Sequence, residues 1–193
     1  MQSTQKSIII IAILFSLTSC TKQTLQPSKT TNTTQTTLST TFTIGMSYGG
    51  GIIFYIDSTG QHGLIAATDD QGTSVQWWNG FYSTTNAFGK TIGTGSRNTK
   101  RIISSQGSGS YAADLCKQYR GGGFKDWYLP SLKELDQLYK KQNKVGNFSS
   151  TNYWSSTEVK GDNTLAMDEE FGGGFQFNDD KGTSFNVRAI RAF

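Results

Sequence analysis

The sequence predicts an α+β domain of two short helices and antiparallel β-hairpins, and three observations predict it. The chain of 193 residues holds 22 Gly, 2 Pro and 12% aromatic residues. That mixture suits a turn-rich domain of many short strands better than a helical bundle. DWYLPSLKEL, residues 126–135, reads as an aromatic extended segment running into a helix. Pro130 pushes Leu129 out of the α region, Ser131 stands at an N-cap, and Glu134 has the capping-box spacing. Elsewhere, apolar runs and alternating segments are bounded by Gly, Asn and Asp.

In order along the chain, Gly51–Ile56 reads as a strand. Residues 57–61 turn it, and His62–Thr68 returns. SVQWW at 74–78 is another extended piece. Residues 79–109 are rich in Gly, Ser, Thr and Asn, with part of 99–106 helical. Ser110 reads as the cap of the first helix. Tyr111, Leu115, Cys116 and Tyr119 share a face of it, and Gly121 stops it. The second helix runs from Ser131 to about Asn143, with Leu132, Leu135, Leu138 and Tyr139 at helical spacing. Residues 148–157 and 164–171 read as strands. Phe175 and Phe177 mark another, turned by residues 178–182. Residues 184–193 alternate as one closing strand.

The N-terminus carries an address. Lys6 precedes SIIIIAILFSL, a run too short to span a bilayer comfortably and of the size of a signal-peptide core. It ends in Leu17-Thr18-Ser19-Cys20, which resembles a bacterial lipobox. That resemblance makes 1–19 a lipoprotein signal peptide and Cys20 the lipid attachment site and membrane contact. Two or three acyl chains make such an anchor stable. Thr21, not Asp, follows, which favours the outer membrane, from where the domain can face the cell surface. Residues 20–43 hold 11 threonines and are too polar to bury a core, so they read as a flexible tether. Residues 44–193 form the domain.

Charge narrows the partners. Residues 43–193 hold 15 basic and 14 acidic side chains, which argues against a dedicated nucleic-acid binder. Residues 90–144 carry 11 Lys/Arg against 4 Asp/Glu, whereas 145–187 carry 2 against 7. The expectation is that the two blocks neutralise each other in the fold. The alternative is a basic ridge for anionic glycans and a separate acidic cluster.

Several motifs in order, GGGIIFYID at 49–57, HGLIAA at 62–67, GTGSRNT at 93–99, YRGGGFKDWYLPS at 119–131, YWSSTE at 153–158 and VRAIRAF at 187–193, carry a family resemblance. They resemble the bacterial domain family named after the C-terminal domain of the Legionella collagen-like adhesin. That family is similar to C-type-lectin-like domains and to the formylglycine-generating-enzyme group. The resemblance implies a C-type-lectin-like fold with neighbouring termini. It also implies a domain that binds glycans or surface molecules, because the namesake adhesin recognises sulfated polysaccharides. Trp127, Trp154, Phe171 and Phe193 fall in its framework motifs.

No catalytic constellation is seen. The formylglycine-generating activity uses a late pair of cysteines, and this chain has none after Cys116. Cys116 itself sits on the apolar face of the first helix and is expected to be buried and inert. His62 is the only histidine, too little for a zinc site, and is expected at a structural strand position. No cofactor is expected. Asp162, Asp168, Glu169, Glu170, Asp179 and Asp180 offer calcium-type oxygens, but without EF-hand spacing, and solvated turns are the default. The three GGG runs match no phosphate-loop motif and are expected at turns and close backbone approaches. Arg188 and Arg191 are expected to pair with Glu158 or Asp126.

Candidate ligand contacts fall into three sets. Trp78 and Tyr82 precede a Gly/Ser/Thr-rich loop and are placed to stack on a sugar. Lys140, Lys141 and Lys144 form a basic set at the end of the second helix. Asn152, Lys160, Asp162, Gln176 and Asn178 lie in the C-terminal hairpins. The expected partner is a polysaccharide or a surface protein. The alternatives are an envelope lipoprotein with no soluble ligand, or an enzyme of the formylglycine-generating kind, against which the missing cysteine pair speaks.

Overall fold

The computed structural model describes residues 41–193; the signal peptide, Cys20 and most of the tether lie outside the described residues. The fold is α+β. Strands β1 (Ser47–Tyr48), β2 (Gly51–Ile56) and β3 (Gly63–Ala66) form successive hairpins, followed by β4 (Gly72–Gln76). Helices α1 (Gly95–Gln106), α2 (Ala112–Gln118), α3 (Leu132–Lys140) and the single-turn α4 (Gln142–Val145) come next. Strands β5 (Asn152–Glu158), β6 (Leu165–Glu170), β7 (Gln176–Asp180), β8 (Ser184–Val187) and β9 (Ile190–Ala192) close the chain.

One sheet has the order β1-β2-β3-β9 and the other β4-β8-β5-β6-β7. All pairs are antiparallel except β5 with β8, which meet in parallel at Tyr153 and Asn186. The expected single strand at 184–193 is therefore two strands in two sheets. Arg188 and Ala189 carry the chain across. Arg188 is 1% exposed and bonds Asp70 Oδ1 at 2.6 Å and the carbonyls of Ala67 (3.0 Å) and Asn147. Its partner is thus Asp70, not Glu158 or Asp126. Arg191 does pair with Asp126, at 2.8 Å through both Nε and a terminal nitrogen. Glu158 instead holds the buried Lys181.

Among the described residues, four α-helices stand where two helices were expected. α1 is the additional long one. The expected second helix is broken at Lys141, so α4 is separate. α3 starts as expected: the Ser131 N–H donates to Glu134 Oε2 at 2.7 Å in a capping box. β7 runs through Asp180, so the turn expected at 178–182 is shortened to its last residues.

Trp77, Trp127 and Trp154 fill the main core, each fully buried. Each indole finds an acceptor, respectively the carbonyls of Ser155 (2.8 Å), Gly121 (3.1 Å) and Val75 (2.9 Å), as a buried indole requires. A second cluster gathers Phe54, Leu135, Leu138, Tyr153 and Phe171 under α3. Phe193 is only partly buried. It meets Phe42 at 4.7 Å between ring centroids, so Phe42, assigned to the tether above, packs on the C-terminal residue. Two GGG runs meet back to back. A Cβ on Gly50 would lie 2.6 Å from the Gly121 oxygen, and one on Gly122 would lie 2.5 Å from the Gly50 Cα. Both residues have positive φ, so glycine is required twice over.

Candidate functional site

β7 organises the largest group of candidate contacts. Gln176, Asn178 and Asp180 alternate onto one face of this edge strand, opposite Glu169, Met167 and Leu165 of β6. A cavity of ≈ 530 Å³ opens there, lined by Lys90, Leu132, Met167, Gln176, Phe177 and Asn178. Its edge is basic. Lys133 and Lys140 of α3 act electrostatically on Glu169, and the Lys133 N–H bonds the Lys90 carbonyl at 2.9 Å. The structure thus gathers Lys140, Gln176 and Asn178, which the sequence placed in separate sets. Lys90 and Lys133 were missed. Their signal was the basic excess of 90–144, which names a block and not a residue.

Glu169 lies behind this surface. It is fully buried, accepts from Gln176 Nε2 at 3.2 Å, and leaves Oε1 without a partner. Burial, reinforced by the charge of Asp136, pushes its carboxyl up to about 7.

Trp78 and Tyr82 form an aromatic pair at the far end of β7. Their rings lie 4.1 Å apart, and the Tyr82 hydroxyl donates to Asp180 Oδ2 at 2.7 Å. Tyr82 is 44% exposed. Trp78 is half-buried, and its indole N–H has no acceptor among the described residues. The pair is a platform one ring deep, fixed at its edge by Asp180.

Other candidates are not brought to this surface. Asn152 donates to Asp168 Oδ2 at 2.6 Å, and Asp168 points to the other face of β6. There burial, with Asp179 beside it, lifts the Asp168 carboxyl to about 7. Lys160 and Asp162 sit at the β5–β6 turn, where Asp162 accepts from the Thr164 N–H and hydroxyl at 2.9 and 2.6 Å. Lys141 ends α3, and Lys144 of α4 runs its stem beside Gly45. The acidic residues disperse as well. Glu170 takes the N–H groups of Gly172 and Gly173 at 2.7 and 2.6 Å. Among the described residues, no three His, Cys, Asp or Glu side chains are arranged around a metal position.

The expected neutralisation between charge blocks does not take the form of ion pairs; it is limited to the longer-range action of Lys133 and Lys140 on Glu169. Among the described residues no salt bridge joins 90–144 to 145–187. Lys140, bonded to Asp136 at 2.8 Å, is the only basic residue of 90–144 in any salt bridge. The reason is geometric. Lys181 takes Glu158, the turns take Asp162, Glu170 and Asp180, and Asp168 and Glu169 are buried within the sheet.

A second concavity, missed by the sequence reading, lies at the β2–β3 hairpin. It measures ≈ 520 Å³, and Tyr55, Asp57, His62, Asp126, Tyr128 and Phe193 are among its walls. His62 is exposed and belongs to this wall, rather than to a packed strand position. Cys116 is fully buried, and burial pushes its thiol well above the ordinary range, which keeps it in the unreactive thiol form.

Residues 66–191 match the family described as the Lcl C-terminal domain. No curated protein matches the chain.

Proposed function

Because the chain belongs to the Lcl C-terminal domain family, an adhesin-type domain of the cell surface or envelope, we propose that it binds an anionic polysaccharide and is held at the outer membrane by a lipid on Cys20. The observation that carries the reading is the set of basic side chains in 90–144 that stay out of salt bridges. A folded chain that left these charges uncompensated would attract a polyanion, and salt would weaken that attraction. Lys90 and Lys133, beside the Gln176–Asn178 cavity, would supply the charge, and the two amides would orient sugar hydroxyls. The Trp78–Tyr82 pair would extend the surface along β7. The reading needs no cofactor and no catalysis. The Thr-rich segment would set the distance from the lipid.

The test is binding of heparin to the full-length protein at about 50 and about 500 mM salt, a range across which surface charges become screened. Wild type should bind at low salt and release at high salt. Lys90→Ala/Lys133→Ala should weaken binding more than Lys141→Ala/Lys144→Ala. Salt-insensitive binding would exclude the basic surface. Failure to bind any glycan would favour an envelope structural or protein-recognition role. For the anchor, Cys20→Ser should abolish incorporation of labelled palmitate; a variant still labelled would refute it.

A further inference from the structure

The β2–β3 concavity has the chemistry of a second site, separate from the lysine surface. Its lining includes the rings of Tyr55, Tyr128 and Phe193 and the side chains of Leu64 and Ile92. Its walls carry four polar side chains: Asp57, His62, Ser96 and Asp126. A further cavity of ≈ 580 Å³, lined by Phe42, Tyr48, Phe124 and Arg191, shares His62 and Phe193 with it. The two cavities adjoin at these residues. The volume of each is in the range of small-ligand sites.

The walls are fixed before any ligand arrives. The loop bearing Ile92 and Gly93 is tied to the start of α3: Glu134 Oε1 accepts from the Gly93 N–H at 2.8 Å, and the Ser131 hydroxyl donates to the Thr91 carbonyl at 2.9 Å. Arg191 is clamped on Asp126 through two bonds of 2.8 Å and lies 3.8 Å over the Phe124 ring. Asp57 Oδ1 takes both the N–H and the hydroxyl of Thr59, at 3.0 and 2.5 Å.

Charge and polarity select among ligand classes. An anion would meet Asp57, whose carboxyl the Thr59 hydroxyl holds below its usual range. An organic cation would find only that one uncompensated carboxylate, because Asp126 is already spent on Arg191. A purely apolar ligand would strand the polar side chains of the walls away from water, at an unfavourable desolvation cost. A neutral sugar avoids all three conflicts. Its C–H face covers rings, and its hydroxyls both donate and accept, which suits an Asp–Arg pair, the Asp57 carboxylate, a serine and a histidine side by side.

We propose that this groove binds an uncharged pyranose, or two linked ones on either side of Phe193, independently of the lysine surface. The inference stands even if the lysine surface binds nothing.

The test is saturation-transfer NMR on the full-length protein, in a detergent without a sugar head group. The probes are methyl glycosides of glucose, galactose, mannose and fucose, and the disaccharides cellobiose and lactose. At least one should bind, equally at low and high salt. Ser96→Trp, which fills the cleft from the first turn of α1, and Asp57→Asn, at an exposed turn, should each weaken it by about tenfold or more. Lys90→Ala/Lys133→Ala should leave it unchanged. Heparin binding, if present, should survive Ser96→Trp, so the two sites fail or succeed separately. The proposal is overturned if no neutral probe binds, if binding ignores both cleft variants, or if tetramethylammonium or a sulfated disaccharide takes the cleft instead.

Discussion

Two lysine–carboxylate pairs lie in different parts of the molecule, and they are not equivalent. Lys181 and Glu158 meet at 2.6 Å with both side chains fully buried. The ammonium also donates to the carbonyls of Ser83 (3.2 Å) and Asn163 (2.7 Å) and lies 4.7 Å from the centre of the Trp77 ring. Glu158 in turn receives the N–H and hydroxyl of Thr85, each at 3.0 Å. Every donor of Lys181 is used, and four separate stretches of chain meet at one point. Lys140 and Asp136 meet at 2.8 Å within one helix, with the lysine side chain 54% exposed. The buried pair fixes which loops lie together. The surface pair fixes almost nothing, and the lysines around it remain available to a ligand.

The largest expected effect comes from breaking the buried pair. Lys181→Ala leaves Glu158 buried without a cation and should cost about 3–5 kcal/mol, read from the midpoint of denaturant unfolding. Lys181→Met/Glu158→Leu should lose clearly less, because no lone charge remains. A loss under about 1 kcal/mol for Lys181→Ala, the size of a surface pair, would erase the comparison.

An intermediate effect comes from carboxylates that lack such a partner. Burial raises Asp168 and Glu169 to about 7 in the folded domain, whereas unfolded carboxyls ionise near 4. The folded state therefore favours their protonated forms. Their stabilisation is fully present below about pH 4 and is lost as pH rises through about 7. Between about pH 5 and about pH 8 each group should lose on the order of 2 kcal/mol of it. Thermal unfolding of wild type and Asp168→Asn/Glu169→Gln across that range would show it. The wild type should weaken with rising pH from this source, and the variant should be flatter. Parallel curves would mean that both groups are solvated.

The smallest effect belongs to Lys140→Ala, which should change stability by roughly 0.5 kcal/mol or less. A larger loss would show that Lys140 also steadies Glu169.

Much of the fold was legible because its signals are local. The start of α3 follows from Leu129-Pro130-Ser131 and Glu134, all within one turn of each other. α1 was only half seen because it buries Asn98, Thr99 and Gln106, polar residues that erase a helical hydrophobic stripe. Asn98 bonds both the N–H and carbonyl of Gly89, at 3.2 and 2.6 Å, a contact with no sequence signature. The closing segment keeps an unbroken alternation from Phe185 to Ala189, so nothing local marks its change of sheet. The partners that divide it, Asp70 for Arg188 and Asp126 for Arg191, are more than sixty residues away. For the same reason aromatic residues could be nominated as binders, while the groove of Tyr55, Tyr128 and Phe193 could not. Three distant segments build it, and none of them advertises the others.

The parallel contact of β8 with β5 carries a consequence for the order of events at birth. β8 lies between β4 and β5, and β9 completes the edge of the other sheet. A nascent chain stopped at Thr183 would hold β4 with no neighbour and Trp77 and Trp154 with an open flank. Both sheets are unfinished until residues 184–193 emerge. The domain therefore has no native intermediate that grows steadily from its N-terminus, and the long-range pairings through β8 and β9 form only once residues 184–193 have emerged. A short C-terminal deletion would act less like trimming an end than like removing a keystone.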